Sequence, residues 1–240
     1  MKKLERKLSL SAAIAISIAG MLGAIFILPG IAAVKTGPSV WLAFLLAAIS
    51  ILPAVLSKSE LATAMPKSGG AYLYIERAFG PMMGTISGLG LWISLILKSS
   101  FALIGLGAYL FILINIPAEL IKYISVIVLF LIMLLNIFGV KKVGKAQLIM
   151  ISLGLVGLIA LLLIGIPEVK KEMLHPFINN GSGAFLSTIA FVYISYAGVT
   201  KIAAVAGEVK NPSRNLPLSM ILSLFIMSSI YIFIAYILVG

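Results

Sequence analysis

The sequence predicts an all-α integral membrane protein, and three observations lead to that prediction. Of the 240 residues, 62% are hydrophobic and 10% are charged, whereas soluble domains are about half apolar and a quarter charged. The apolar residues form long uncharged runs, and about 20 such residues cross a bilayer as a helix. No run alternates apolar and polar residues as a membrane strand would, so helices are expected to satisfy the backbone hydrogen bonds.

These runs predict seven membrane-spanning helices within one membrane domain. Their approximate bounds are residues 9–34, 39–64, 82–113, 121–139, 143–166, 183–207 and 216–240. The first run follows several basic residues and could be taken for a secretory signal. It is too long for one, and further spans follow it.

The distribution of charge predicts a cytoplasmic amino terminus. With that orientation, twelve lysines and arginines lie in inner segments and four in outer segments, as the positive-inside rule describes. The net charge of +11 is scattered between apolar runs, so it does not form the basic face that nucleic-acid binding requires. The chain has no cysteine and a single histidine, His175, so the sequence predicts neither a metal site nor another cofactor.

One long polar stretch interrupts the first half of the chain, SELATAMPKSGGAYLYIERAFGP, residues 59–81. It is predicted to link spans two and three on the inner side, because Pro66 ends a helix and two adjacent glycines permit a turn. Residues 71–79 are predicted to form a short interfacial helix. Tyr72 and Tyr74 are its expected aromatic anchors.

Spans one and six carry small and polar residues near their middle. Span one contains AGMLGAIFILPG, and span six contains YISYAGVTKIAAVAG. In transporters built from inverted repeats, two interrupted helices meet at the bilayer midplane, where free amides and carbonyls bind the substrate. Such helix ends suit a zwitterion, since the amino end attracts a carboxylate and free carbonyls accept bonds from an ammonium. The alternative role for the glycines is close helix packing.

Lys98 lies near the centre of span three, counting about 1.5 Å per residue from either end, and is too deep to reach water. A charge there costs at least about 2.5 kcal/mol unless it is paired, solvated or deprotonated, so Lys98 is expected to face the protein interior. It is either a charge beside the substrate path or a structural ammonium held by helix-end carbonyls. Lys201 and Glu208 are seven residues apart, a spacing that places them on one α-helical face as a structural pair or an inner gate.

Three motifs together resemble the amino acid permeases of the amino acid, polyamine and organocation (APC) transporter superfamily. They are the polar stretch quoted above, GMLGAIFILPG in span one, and SYAGVTKIAAVAGEVKNPSRNLPLSMI from span six onward. The resemblance covers nearly the whole chain. It implies a five-plus-five inverted-repeat fold in which helices 1 and 6 are discontinuous. Residues 1–240 would then contain the first repeat, helices 1–5, and the start of a truncated second repeat, helices 6 and 7.

The resemblance also implies which residues bind the substrate. The carboxylate and amino groups of an amino acid would contact the unwound parts of helices 1 and 6. By position these are Met21, Leu22, Gly23, Ala24 and Ile25 on helix 1, and Ser195, Tyr196, Ala197 and Gly198 on helix 6. Tyr193 or Tyr196 would close over the bound side chain, and Tyr193 is the predicted gate.

Two departures from the family pattern bear on coupling and specificity. Some proton-coupled relatives carry a lysine on helix 5 where this chain has Gly154, so Lys98 is the hypothesised coupling residue. Relatives often have an acidic residue near Thr200, and its absence favours neutral amino acids. Both proton symport and amino acid exchange fit this pattern.

The sequence therefore predicts secondary active transport of amino acids across the plasma membrane by alternating access, without enzymatic chemistry. One alternative is a truncated membrane fragment that does not transport without a missing second half. A channel is a further alternative, against which the chain shows no repeated acidic or carbonyl filter.

Overall fold

A computed structural model describes residues 6–114, 116–137, 140–170 and 181–240. Within these ranges the chain is helical and contains no strand. His175 lies outside the described residues. The α-helices are α1 (Leu10–Leu22), α2 (Leu28–Thr36), α3 (Val40–Ala64), α4 (Ala71–Phe79), α5 (Pro81–Ile114), α6 (Ala118–Ile137), α7 (Val140–Gly165), α8 (Gly181–Tyr193) and α9 (Pro212–Val239). The 3₁₀ helices are Gly23–Phe26, Gly37–Ser39, Ile166–Glu168 and Ile194–Glu208.

Five helical stretches in the described part of the chain are long and apolar enough to cross a membrane. They are Leu28–Ala64, Pro81–Ile114, Leu148–Glu168, Gly181–Glu208 and Pro212–Val239. The shorter apolar stretch Leu10–Phe26 and helix α6 lie where the sequence predicts spans one and four. The chain is thus an all-α, multi-pass membrane protein, as predicted.

The buried core lies where α1, α3, α9 and the long 3₁₀ helix Ile194–Glu208 pack together. Alanines of α3, such as Ala43 and Ala47, are fully buried, since small side chains let membrane helices approach closely. Helices α5, α6 and α7 instead expose most of their apolar side chains. Apolar faces of this kind suit a lipid or protein environment rather than water.

The polar stretch between α3 and α5 folds as predicted and contains α4 at the predicted bounds. Gly69 and Gly70 have φ angles of 143° and 68°, a region that favours glycine. The Gly69 amide donates to the Ala204 carbonyl at 2.9 Å. Tyr72 is partly exposed, whereas Tyr74 is buried and its burial raises the pKa of its phenol. Tyr74 is therefore a packing residue, and the prediction that it anchors the interface is wrong.

A second backbone contact joins the start of the chain to the end of span six. The Leu8 amide donates to the Glu208 carbonyl at 2.9 Å, and the Lys210 amide donates to the Leu8 carbonyl at 2.9 Å. Together with Gly69, these bonds fasten the last turns of Ile194–Glu208 to two other segments.

Helix α1 crosses the long 3₁₀ helix at a pair of glycines, Gly20 and Gly198. A Cβ atom on Gly198 would lie 2.1 Å from the carbonyl carbon of Gly20, and one on Gly20 would lie 2.8 Å from the Gly198 oxygen. Both contacts are with backbone atoms, which cannot rotate away. The crossing therefore requires glycine on both sides.

Replacing Gly198 with alanine is expected to lower the free energy of unfolding by about 1–3 kcal/mol, because the added methyl group overpacks the crossing. Thermal unfolding of the detergent-purified protein measures this loss. Gly157→Ala is the matched control, since a Cβ at Gly157 on α7 meets no atom within 4 Å. Equal melting temperatures for the two variants would contradict the close crossing.

Candidate functional site

Span one loses its α-helical geometry between α1 and α2. The 3₁₀ helix Gly23–Phe26 follows α1, and Ile27, with φ −119° and ψ −49°, is a turn residue between it and α2. Pro29 explains this position, because it has no amide to donate to the Ile25 carbonyl and its ring clashes with that group. The break thus lies at residues 23–27. Met21 and Leu22, predicted to be unwound, are the last residues of α1.

The predicted residues of span one differ in their accessibility. Met21, Leu22 and Ile25 are buried, Ala24 is half-buried, and Gly23 is exposed. A Cβ atom on Gly23 would meet no atom within 4 Å. Of the predicted residues in span one, Gly23 is therefore the one whose backbone is most accessible.

Span six changes geometry at Ile194, as α8 ends at Tyr193 and the 3₁₀ helix Ile194–Glu208 begins. This helix is 15 residues long, and Val205 inside it has non-helical angles. Such helices seldom exceed about four residues, and longer ones often mark a hinge or strain. The α-helical geometry of span six therefore ends at Tyr193, just before the segment predicted to be unwound, while the non-helical angles lie farther along at Val205.

The residues predicted for substrate contact on span six, Ser195 to Gly198, all lie in the first turns of this 3₁₀ helix. Ser195, Tyr196 and Gly198 are buried, whereas Ala197 is exposed. The Ser195 hydroxyl is buried without a hydrogen-bond partner among the described residues. Ser195 is thus a polar group beside the break with unused hydrogen-bonding capacity.

The hydroxyl group of Tyr231 on α9 connects the two breaks. It donates to the Met21 carbonyl at 2.7 Å and lies 3.4 Å from the Ser195 carbonyl. The side chain is fully buried. Its ring stacks on Phe44 at 5.3 Å and meets the edge of Tyr196 at 5.2 Å between centroids. Sequence reasoning missed Tyr231, although a phenol in an apolar span signals a buried partner.

Tyr193 and Tyr196 occupy different environments. The Tyr196 hydroxyl donates to the Phe44 carbonyl at 3.0 Å, and the ring is fully buried. Tyr196 thus packs in the core and is not free to close over a ligand in this structure. Tyr193, at the end of α8, is partly exposed and is the remaining candidate for the predicted gate.

Two side chains of α5 donate to carbonyl groups of span one. Lys98 donates to the Gly20 carbonyl at 3.0 Å, and Tyr109 donates to the Phe26 carbonyl. Lys98 as a whole is exposed along α5, although its ammonium is hydrogen-bonded to span one. This contact agrees with the predicted structural role, an ammonium held by a carbonyl near a helix end. Its position near the break also agrees with the other predicted role, a charge beside the substrate path.

The inner half of span six contains a further lysine contact. Lys58 on α3 donates to the Thr200 hydroxyl at 3.2 Å and is half-buried.

The expected face shared by Lys201 and Glu208 is absent. A 3₁₀ helix has 3.0 residues per turn, so seven residues rotate by about two and a third turns. The α-helical spacing on which that prediction depended does not apply here.

Two cavities in the described part of the chain lie away from the breaks. One of about 720 Å³ lies between α5 and α6, and one of about 300 Å³ lies between α4 and α5. Neither is lined by a residue of the two breaks. Gly23 and Ala197 are therefore exposed on the surface of the chain and do not line either cavity.

Two membrane helices that lose α geometry near mid-span and cross each other define a class, the helical membrane proteins with the architecture of secondary transporters. The sequence profile of the family described as amino acid permease matches residues 12–240. The chain belongs to the amino acid permease family, whose members are transporters rather than enzymes.

Individual relatives agree with this assignment. A branched-chain amino acid permease of Bacillus subtilis is 29% identical over 100% of this chain and 56% of its own length. A branched-chain amino acid permease of Lactococcus lactis is 31% identical over 90% of this chain and 52% of its own length. A serine/threonine exchanger of Bacillus subtilis is 28% identical over 97% of this chain and 54% of its own length. The chain thus spans about half the length of these relatives.

Removing the Tyr231 hydroxyl with Tyr231→Phe is expected to cost about 1–2 kcal/mol of unfolding free energy, because buried carbonyls lose their donor. Thermal unfolding in detergent measures the loss. Tyr236→Phe is the control, as Tyr236 is a half-buried tyrosine of the same helix, and its effect is expected to stay within about 0.5 kcal/mol. If both variants unfold like the wild type, Tyr231 does not support the breaks.

Proposed function

We propose that the protein takes part in secondary active transport of neutral amino acids across the plasma membrane by alternating access. The observation that supports this most directly is the pair of helix breaks, at Gly23–Ile27 and from Ile194 onward, beside the Gly20–Gly198 crossing. The amino terminus is cytoplasmic in this proposal, in agreement with the charge asymmetry of the sequence.

The proposed substrate site uses backbone groups of both breaks. Helix α2 begins directly after the first break, and its amino end attracts the substrate carboxylate. Carbonyls at the end of α1 accept hydrogen bonds from the substrate ammonium. The contacting segments are Met21–Ile25 and Ser195–Gly198. The unpartnered Ser195 hydroxyl supplies a side-chain contact, and Tyr193 closes the site.

A cationic substrate side chain is disfavoured by the charges around this site. Lys58 donates to the Thr200 hydroxyl, and Lys98 donates to the Gly20 carbonyl. Two ammonium groups repel a cationic substrate side chain.

The second candidate function is that of a membrane fragment that transports only together with a second half. The observation that favours it is that the chain spans 52–56% of the three relatives. The broad exposed apolar face of α5 agrees with it. Alternating access requires one helical bundle to rock against another, and the described helices include few members of a second repeat.

A reconstitution experiment separates these functions. Liposomes receive either the 240-residue chain alone or the chain together with the separately expressed second half of the Bacillus subtilis branched-chain permease. We expect no saturable uptake of leucine, valine or serine by the chain alone and saturable uptake by the pair. Lysine and glutamate are the charged control substrates, and neither is expected to compete.

Saturable uptake by the chain alone would exclude the fragment hypothesis and retain the transport proposal. Competition by lysine as strong as that by leucine would refute the neutral specificity. If neither preparation takes up or binds any amino acid while both are folded, the proposed function is wrong.

Lys98 is proposed to couple transport to protons, since it is an ionisable group that donates to the Gly20 carbonyl, three residues before the first break. In the transporting preparation, Lys98→Gln is expected to reduce uptake driven by a pH gradient about tenfold or more and to leave exchange of internal for external substrate measurable. Lys98→Arg retains the charge but cannot release a proton. It is expected to support exchange without a response to pH.

Lys67→Gln is the control for Lys98, because Lys67 is an exposed lysine of the polar stretch between α3 and α5. It is expected to retain the response to the pH gradient. Unchanged pH-driven uptake by Lys98→Gln would remove the coupling role and leave Lys98 as a structural ammonium.

A further inference from the structure

The larger cavity is a groove between α5 and α6, at the end of α5 that lies farthest from α4. Its volume is about 720 Å³. The apolar side chains that line it include Leu103, Ile104 and Phe111 on α5 and Ile121 on α6. We call this cavity the outer groove, and it is separate from both helix breaks.

Small residues of α5 shape the outer groove. Gly107 is buried against α6, where a Cβ atom would lie 2.6 Å from Cγ2 of Ile121. Ala108, the next residue, lines the groove and is exposed. Because neither residue fills the space beside the α5–α6 contact, the apolar lining is open to a flexible chain.

The groove carries positive charge at one place on its rim. Lys122 lines it and is exposed, and Ser125 lies one turn farther along α6. Glu119 lies one turn earlier on α6 and does not line the groove. The neighbouring Tyr123 is 70% exposed, as is typical of aromatic residues at the membrane–water interface.

An apolar groove with an ammonium at its interfacial rim is complementary to one kind of ligand. We propose that the outer groove binds an anionic phospholipid, with an acyl chain along Ile104, Ala108 and Phe111 and the phosphate-bearing headgroup at Lys122. Basic residues near membrane helices attract anionic lipids. A lysine at such a position can lay its stem along apolar surface while its ammonium remains at the interface.

The test measures lipid binding to the purified 240-residue chain in detergent by intact-complex mass spectrometry. Phosphatidylglycerol and phosphatidylcholine with identical acyl chains are titrated separately. Because one lysine near the membrane surface contributes about 1 kcal/mol, the phosphatidylglycerol complex is expected to bind about fivefold more tightly. This measurement does not depend on transport, so its failure is distinct from a failure of the proposed function.

Two variants separate the headgroup contact from the acyl-chain contact. Lys122→Gln is expected to abolish the preference for phosphatidylglycerol, and Lys122→Arg is expected to retain it. Ala108→Trp fills the groove and is expected to weaken binding of both lipids. The controls are Lys170→Gln, an exposed lysine outside the groove, and Ala102→Trp, an exposed alanine of α5 that does not line it; both are expected to bind like the wild type.

Three results would overturn the proposal. The first is equal binding of the two lipids by the wild-type chain. The second is a loss of preference in Lys170→Gln as large as that in Lys122→Gln, which would indicate diffuse attraction. The third is unchanged binding by Ala108→Trp, which would place the acyl chain elsewhere.

Discussion

Every backbone carbonyl and amide within a bilayer needs a hydrogen-bond partner, because lipid offers none. A break in a membrane helix removes such partners, so the two breaks can persist only where the rest of the chain replaces them. Around span one, the carbonyls of Gly20, Met21 and Phe26 accept bonds from Lys98, Tyr231 and Tyr109. These donors come from α5 and α9, so the break that Pro29 causes is stabilised by tertiary contacts.

The same constraint explains how span six is held. A 3₁₀ helix of 15 residues is a poor structure in isolation, since its hydrogen-bond geometry is weaker than that of an α-helix. Contacts from other segments accompany it along its length, from the Gly20 crossing through Lys58 at Thr200 to the amide of Gly69 at Ala204. The polar stretch between α3 and α5 thus supports span six as well as connecting two helices.

The sequence predicted features that depend on composition and local chemistry. The membrane class follows from the apolar runs, and the bounds of α4 follow from Pro66, the two glycines and the amphipathic residues after them. The breaks were located to within a few residues, since glycine and proline act locally. The donors that satisfy them were missed because Tyr109 and Tyr231 are distant in sequence. The face shared by Lys201 and Glu208 was predicted wrongly because the period of span six is not that of an α-helix.

The core packs some helices tightly and leaves α5 loosely attached, which affects how alternating access would operate under the proposed function. Helices α1, α3 and α9 and the long 3₁₀ helix form one packed body, whereas α5 has few contacts with them. Two of its contacts are the bonds from Lys98 to Gly20 and from Tyr109 to Phe26. Rocking of the packed body against α5 would have to break or exchange these bonds beside the break. In the proposed site a bound substrate would also use carbonyls near this break, so occupancy of the site and movement of the bundle would be coupled through a few shared acceptors.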